Sequence, residues 1–136
     1  WIKKRSSQIN IDEKNYKKKK INSEIITLDD YVREKSISNI DILKIDTQGF
    51  EDKVLLGAQK LLKENKIKLI QLELIFSEIY EDPLHIYDVE KILIPNNYKI
   101  FGISNNGNLA RDYIYQSDFI YISKDTYENF KLNSSQ

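Results

Sequence analysis

The sequence predicts an α/β domain in which parallel strands linked by helices end in an antiparallel strand pair. Three observations carry this. Ile40–Ile45 and Ile67–Phe76 are near-continuous apolar runs, the pattern of strands buried on both faces of a sheet. Between them, Val54, Leu55, Ala58, Leu61 and Leu62 fall at i, i+1, i+4, i+7 and i+8, one apolar stripe along a helix. Further on, Tyr98–Ser104 and Asp118–Ser123 are strand-like runs too close for a helical crossover, so they pair as a hairpin.

Taken in order, residues 1–26 are a polar, basic lead-in. It contains the run Lys17–Lys20, which reads as a solvated loop because no aromatic residues interleave it to stack nucleobases. Ile25-Ile26 ends a short strand. Thr27 then opens a short helix with capping-box spacing to Asp30, and Leu28, Tyr31 and Val32 face inward. After the first strand, Thr47-Gln48-Gly49-Phe50 makes a turn in which Gly49 supplies a positive φ or a close backbone approach. The helix Glu51–Glu64 stops at Asn65. In the second strand, alternation places Ile70, Leu72, Leu74 and Phe76 on one face and Ile67, Leu69, Gln71, Glu73 and Ile75 on the other. Asp82-Pro83 breaks the next loop, and a helix over Leu84–Leu93 ends near Pro95-Asn96-Asn97. Asn105-Asn106-Gly107-Asn108 is a turn signal between the third and fourth strands. Residues 124–136 are a tail whose end frays. The alternation of strands and helices implies right-handed parallel crossovers among the first three strands.

A chain of 136 residues suits one domain. Its 21 basic and 21 acidic side chains cancel, so no overall field favours nucleic acid. With no cysteine, there is no disulfide, zinc–thiolate site or cysteine nucleophile. The single His85 excludes chemistry needing two histidines from this chain, and near Pro83 it reads as a capping residue. No apolar run reaches the length of a membrane span and no leader pattern opens the chain, so a soluble, cytoplasmic protein without a membrane partner is expected. Starting at Trp1 and lacking methionine throughout, the chain reads as a processed or internal piece of a longer one.

The candidate chemistry lies at the end of the first strand. Lys44 and Asp46 share one side of it, and Gln71 and Glu73 share one side of the next. In open α/β sheets, ligands sit beyond the carboxyl ends of the strands. Charged groups persist there when paired, solvated in a cleft or holding a ligand. The pattern fits an active-site rim and a structural ion-pair cap equally. Glu51 is explained as well by the helix dipole as by a substrate. Tyr80, Tyr113 and Tyr115 are read as packing residues. Gly49, Gly57, Gly102 and Gly107 show no Gly-x-Gly spacing and no Walker loop, so the sequence offers no cradle for a nucleoside or dinucleotide.

Three stretches together resemble the FkbM-type S-adenosylmethionine-dependent methyltransferases. They are TLDDYV at Thr27–Val32, LKIDTQGFE at Leu43–Glu51 and VLLGAQKLL at Val54–Leu62. The likeness continues more loosely through QLEL at Gln71–Leu74, NNYKIF at Asn96–Phe101 and DFIYIS at Asp118–Ser123. Lys44, Asp46, Gly49 and Glu51 fall in register with the family signature, and Gln48 stands where the family commonly has Glu.

The resemblance implies a Rossmann-like class I methyltransferase fold, present here from its fourth strand onward over residues 27–123. It implies that the N-terminal half, with the S-adenosylmethionine site, lies upstream. It also implies methyl transfer to a hydroxyl of a sugar, glycan or natural product. On that reading Asp46 is the acceptor-positioning group or base, Lys44 tunes it, and Glu73 is a second acceptor-side carboxylate. Gln48 and Glu51 contact substrate, and Asp46 with Glu73 is the place for a divalent metal, if one is used. The alternative is a non-enzymatic half-domain serving as an interaction module or relic. A nuclease site built on Asp46 and Glu73 would want a lysine where Ile75 stands.

Overall fold

The computed structural model describes residues 24–76, 84–109 and 113–134. The Lys17–Lys20 run, Tyr80 and the Asp82-Pro83 break lie outside them. The elements are α1 (Leu28–Glu34), β1 (Ile40–Ile45), α2 (Glu51–Leu56), α3 (Gln59–Lys63), β2 (Ile67–Ile75), α4 (Ile86–Leu93), a 3-10 turn (Ile94–Asn96), β3 (Tyr98–Leu109), β4 (Tyr113–Ser123) and α5 (Lys124–Ser134). The described strands form one sheet in the order β1-β2-β4-β3. β1 and β2 are parallel. β4 runs antiparallel to both β2 and β3, which it separates. The third strand therefore keeps the direction expected of it but does not touch the second. The last two strands pair antiparallel as expected, and the return strand takes the central place.

One face of the sheet carries the core. Ile45, Ile70, Leu72, Leu74, Phe119 and Tyr121 pack there against Val32, Leu55, Leu61, Leu62, Val89 and Leu93 from α1 to α4. The opposite face is only partly covered, since Ile42 is 63% exposed. The expectation that β1 is buried on both faces is thus not met among the described residues. At the far edge, α5 folds back, with Phe130 edge-on to Phe101 and the Lys99 ammonium over the Tyr127 ring. The Tyr98 hydroxyl donates to the Ile67 carbonyl at 2.7 Å, tying the start of β3 to the start of β2. Burial pushes that phenol up to about 12.

Thr27 is the N-cap of α1, and its Oγ1 accepts from the Asp30 N–H at 3.1 Å. Asp30 closes the motif onto the Thr27 hydroxyl, which donates to it at 2.7 Å, in place of a backbone N–H. Tyr31 does not face inward as expected but lies exposed beside an apolar groove. Ile25 and Ile26 form no strand.

The single helix expected over 51–64 is broken at Gly57-Ala58. The Gly57 carbonyl accepts from the Asp29 N–H at 2.9 Å. The Asp29 carboxylate then accepts from the N–H groups of Lys60 at 2.9 Å and Leu61 at 3.1 Å. A side chain from α1 thereby caps α3, whose own N-cap, Ala58, has no acceptor to offer. Asp29→Ala should destabilise the fold by about 1–2 kcal/mol. Denaturant unfolding checks this, and an unchanged midpoint would show the cap to be dispensable.

Two further expectations are corrected. Asn105–Asn108 belong to β3, where register shifts after Ile100 and Ser104 absorb the turn-forming residues. Residues 124–134 form α5, a helix where no element was expected, with the Ser123 and Thr126 hydroxyl oxygens 2.8 Å apart at its first turn; the last residues, 135–136, lie outside the described residues. Among the described residues no helix is long and apolar enough to cross a membrane.

Candidate functional site

The turn after β1 is built on two residues with positive φ, Gln48 at 54° and Gly49 at 96°. Gly49 meets the expectation for its position. Gln48 carries a side chain in the same left-handed region, at a steric cost of about 1 kcal/mol. The brace is Glu51, which is 2% exposed. Its Oε1 accepts from the Thr47 N–H at 3.0 Å and the Thr47 hydroxyl at 3.1 Å. Gly49 N–H donates to Oε2 at 3.0 Å and to Oε1 at 3.3 Å. The carboxylate is thus occupied by the turn just before it in the chain. The physical demand on Glu51 is to hold Asp46–Gly49 in shape.

At the rim, the register Lys44↔Gln71 and Ile45↔Leu72, extended by one residue, brings Asp46 level with Glu73. On the other side of β2, Asp118 of β4 is the direct antiparallel partner of Glu73. Gln48 links the acids: its Nε2 lies 3.0 Å from Asp46 Oδ1 and 3.4 Å from Glu73 Oε2. Gln116 Nε2 donates to Glu73 Oε1 at 2.8 Å. Lys44 Nζ reaches Asp46 Oδ2 at 3.3 Å, with both side chains substantially exposed. Such an exposed pair contributes at most about 1 kcal/mol and does not by itself fix the rim. Gln71 sits two residues before Glu73 on β2, opposite Lys44.

Electrostatics separates the two carboxylates. Asp46 is held below the usual carboxylate range by the Gln48 amide and then by Lys44. Glu73 is pushed up by burial first, then by the charges of Asp46 and Asp118. Among the described residues no group of three or more acid or imidazole side chains could hold a metal ion. The Gln48 amide lies between Asp46 and Glu73 where a shared cation was considered.

Period-two counting found Lys44, Asp46 and Glu73. It missed Gln116 and Asp118, which reach the site through a strand pairing that the sequence does not specify. It also missed Asp52, 7% exposed and paired with Lys53 at 2.8 Å. His85 is the N-cap of α4, with reciprocal bonds to Asp88, as expected of a capping residue. A larger groove of about 390 Å³ lies between α1 and α2 and is lined by Ile25, Ile26, Thr27, Leu28, Tyr31, Phe50, Lys53, Val54 and Gly57. Among the described residues its lining is mainly apolar and carries no carboxylate, and the Thr27 hydroxyl there is engaged in capping α1 with Asp30.

Residues 3–115 match the methyltransferase FkbM domain. The chain belongs to the FkbM methyltransferase family. A solved structure, an S-adenosylmethionine-dependent methyltransferase from Clostridium acetobutylicum ATCC 824, is similar at 8% identity with a TM-score of 0.43. The match covers 70% of this chain and 69% of that one. No curated protein matches the chain. Family membership makes the protein a methyltransferase by resemblance. The FkbM match covers β1, β2 and the turn with Asp46, Gln48 and Glu51, and it ends just before Gln116 and Asp118.

Proposed function

We propose that this FkbM chain takes part in S-adenosylmethionine-dependent methylation of a hydroxyl on a sugar, glycan or natural product, with Glu73 as the acceptor-side base. The observation that carries the reading is the Glu73 carboxylate at the β2 rim, level with Asp46, held by two glutamine amides and raised in pKa. A hydroxyl is a weak nucleophile, and a base whose pKa lies nearer the working pH removes its proton more effectively. The base role therefore passes from Asp46, which Lys44 and Gln48 hold as a stable anion, to Glu73.

The methyl donor brings a cationic sulfonium and an electrophilic methyl group. Among the described residues, Asp46, Glu73 and Asp118 gather at the rim with Lys44, a set of groups that suits a cation. The crevice that the described residues form beside Gly49, Glu51, Glu73 and Leu84 is only about 10 Å³, far too small for a nucleoside. These residues accordingly fit the reacting end of the donor. The rest of it belongs to the earlier strands of a class I sheet, of which β1 would be the fourth. Glu73 takes the hydroxyl proton as the acceptor oxygen bonds to the methyl carbon and the carbon–sulfur bond breaks. The products are a methyl ether, a neutral thioether and protonated Glu73. Asp46 stays ionised and orients the acceptor, and much of the acceleration comes from that alignment.

Incubating the full chain with methyl-labelled S-adenosylmethionine and a panel of sugars and hydroxylated small molecules tests the reading. Label in a base-stable methyl ether is the expected result. Label that mild base releases as methanol would mark carboxyl esterification and overturn hydroxyl transfer. A second reading, a half-domain acting as an interaction module, draws on the exposure of Ile42 on the poorly covered sheet face. It predicts tight binding to a separate chain and no label transfer.

A further inference from the structure

We draw no further inference here: the strongest candidate, the apolar groove of about 390 Å³ between α1 and α2, reaches Phe50 beside the turn, but nothing in the structure shows what covers it.

Discussion

Glu73→Gln is expected to lower hydroxyl methylation by about 10²–10⁴-fold, the usual contribution of a positioned general base. The substitution is nearly isosteric. The amide oxygen it introduces can still accept from Gln116, while the weaker bond from Gln48 is lost, so the rim stays close to its shape but loses its proton acceptor. The rate that remains should be flat with pH where the wild-type rate rises through the ionisation of Glu73. Asp46→Asn should act differently. Asp46 is already held as an anion by Gln48 and Lys44, so its loss should mainly raise KM; because its charge opposes the ionisation of Glu73, the acid limb should move to lower pH but not disappear. Rate profiles of both variants over pH check this. An unchanged acid limb in Glu73→Gln, or its loss in Asp46→Asn instead, would return the base role to Asp46.

Glu51→Ala is expected to cost about 3–5 kcal/mol of stability, a large share of a total of about 5–15 kcal/mol for a small domain. The truncation leaves two turn N–H groups and the Thr47 hydroxyl without their acceptor. It also leaves a cavity where a 2% exposed side chain stood. The turn it releases contains two residues of positive φ, so nothing local holds Asp46 and Gln48 in place once the brace is gone. Glu51→Gln keeps the shape and half the acceptor capacity, and should lose about 1–2 kcal/mol. Urea unfolding measures both values, and amide exchange at Thr47 and Gly49 should accelerate in the same order. A Glu51→Ala chain as stable as wild type would mean that the sheet alone shapes the turn.

What the sequence revealed follows the range over which each structure is decided. β1, β2 and the stripe on α2 and α3 were legible because burial imposes its period on neighbouring residues. The break at Gly57 was not, because Asp29, 31 residues before Lys60, makes it. The insertion of β4 between β2 and β3 escaped for the same reason, since both strand runs look alike whichever neighbour they choose. α5 was hidden by its polarity: Lys124–Ser134 has only a thin apolar stripe, and its packing rests on a few ring contacts such as Phe101 with Phe130. Within the site, Lys44, Asp46 and Glu73 could be found by counting along a strand. The demand on Glu51 could not be separated from the helix dipole until its three donors were located. Gln116 and Asp118 depend on antiparallel register, which no local pattern encodes.

The neutral amide at position 48 acquires an evolutionary meaning from this geometry. The resemblance to the family signature puts Glu at that place in the turn. In this chain a carboxylate there would replace an amide that donates toward both Asp46 and Glu73, and would add another negative charge to a rim that already holds Asp118. Gln48 and Asp118 are therefore alternatives within one electrostatic allowance, although they lie on opposite sides of β2. A chain with Glu at position 48 would carry a further charge at this rim, and neutralising position 118 would offset it. The two positions should change together, a covariation set by charge across the sheet.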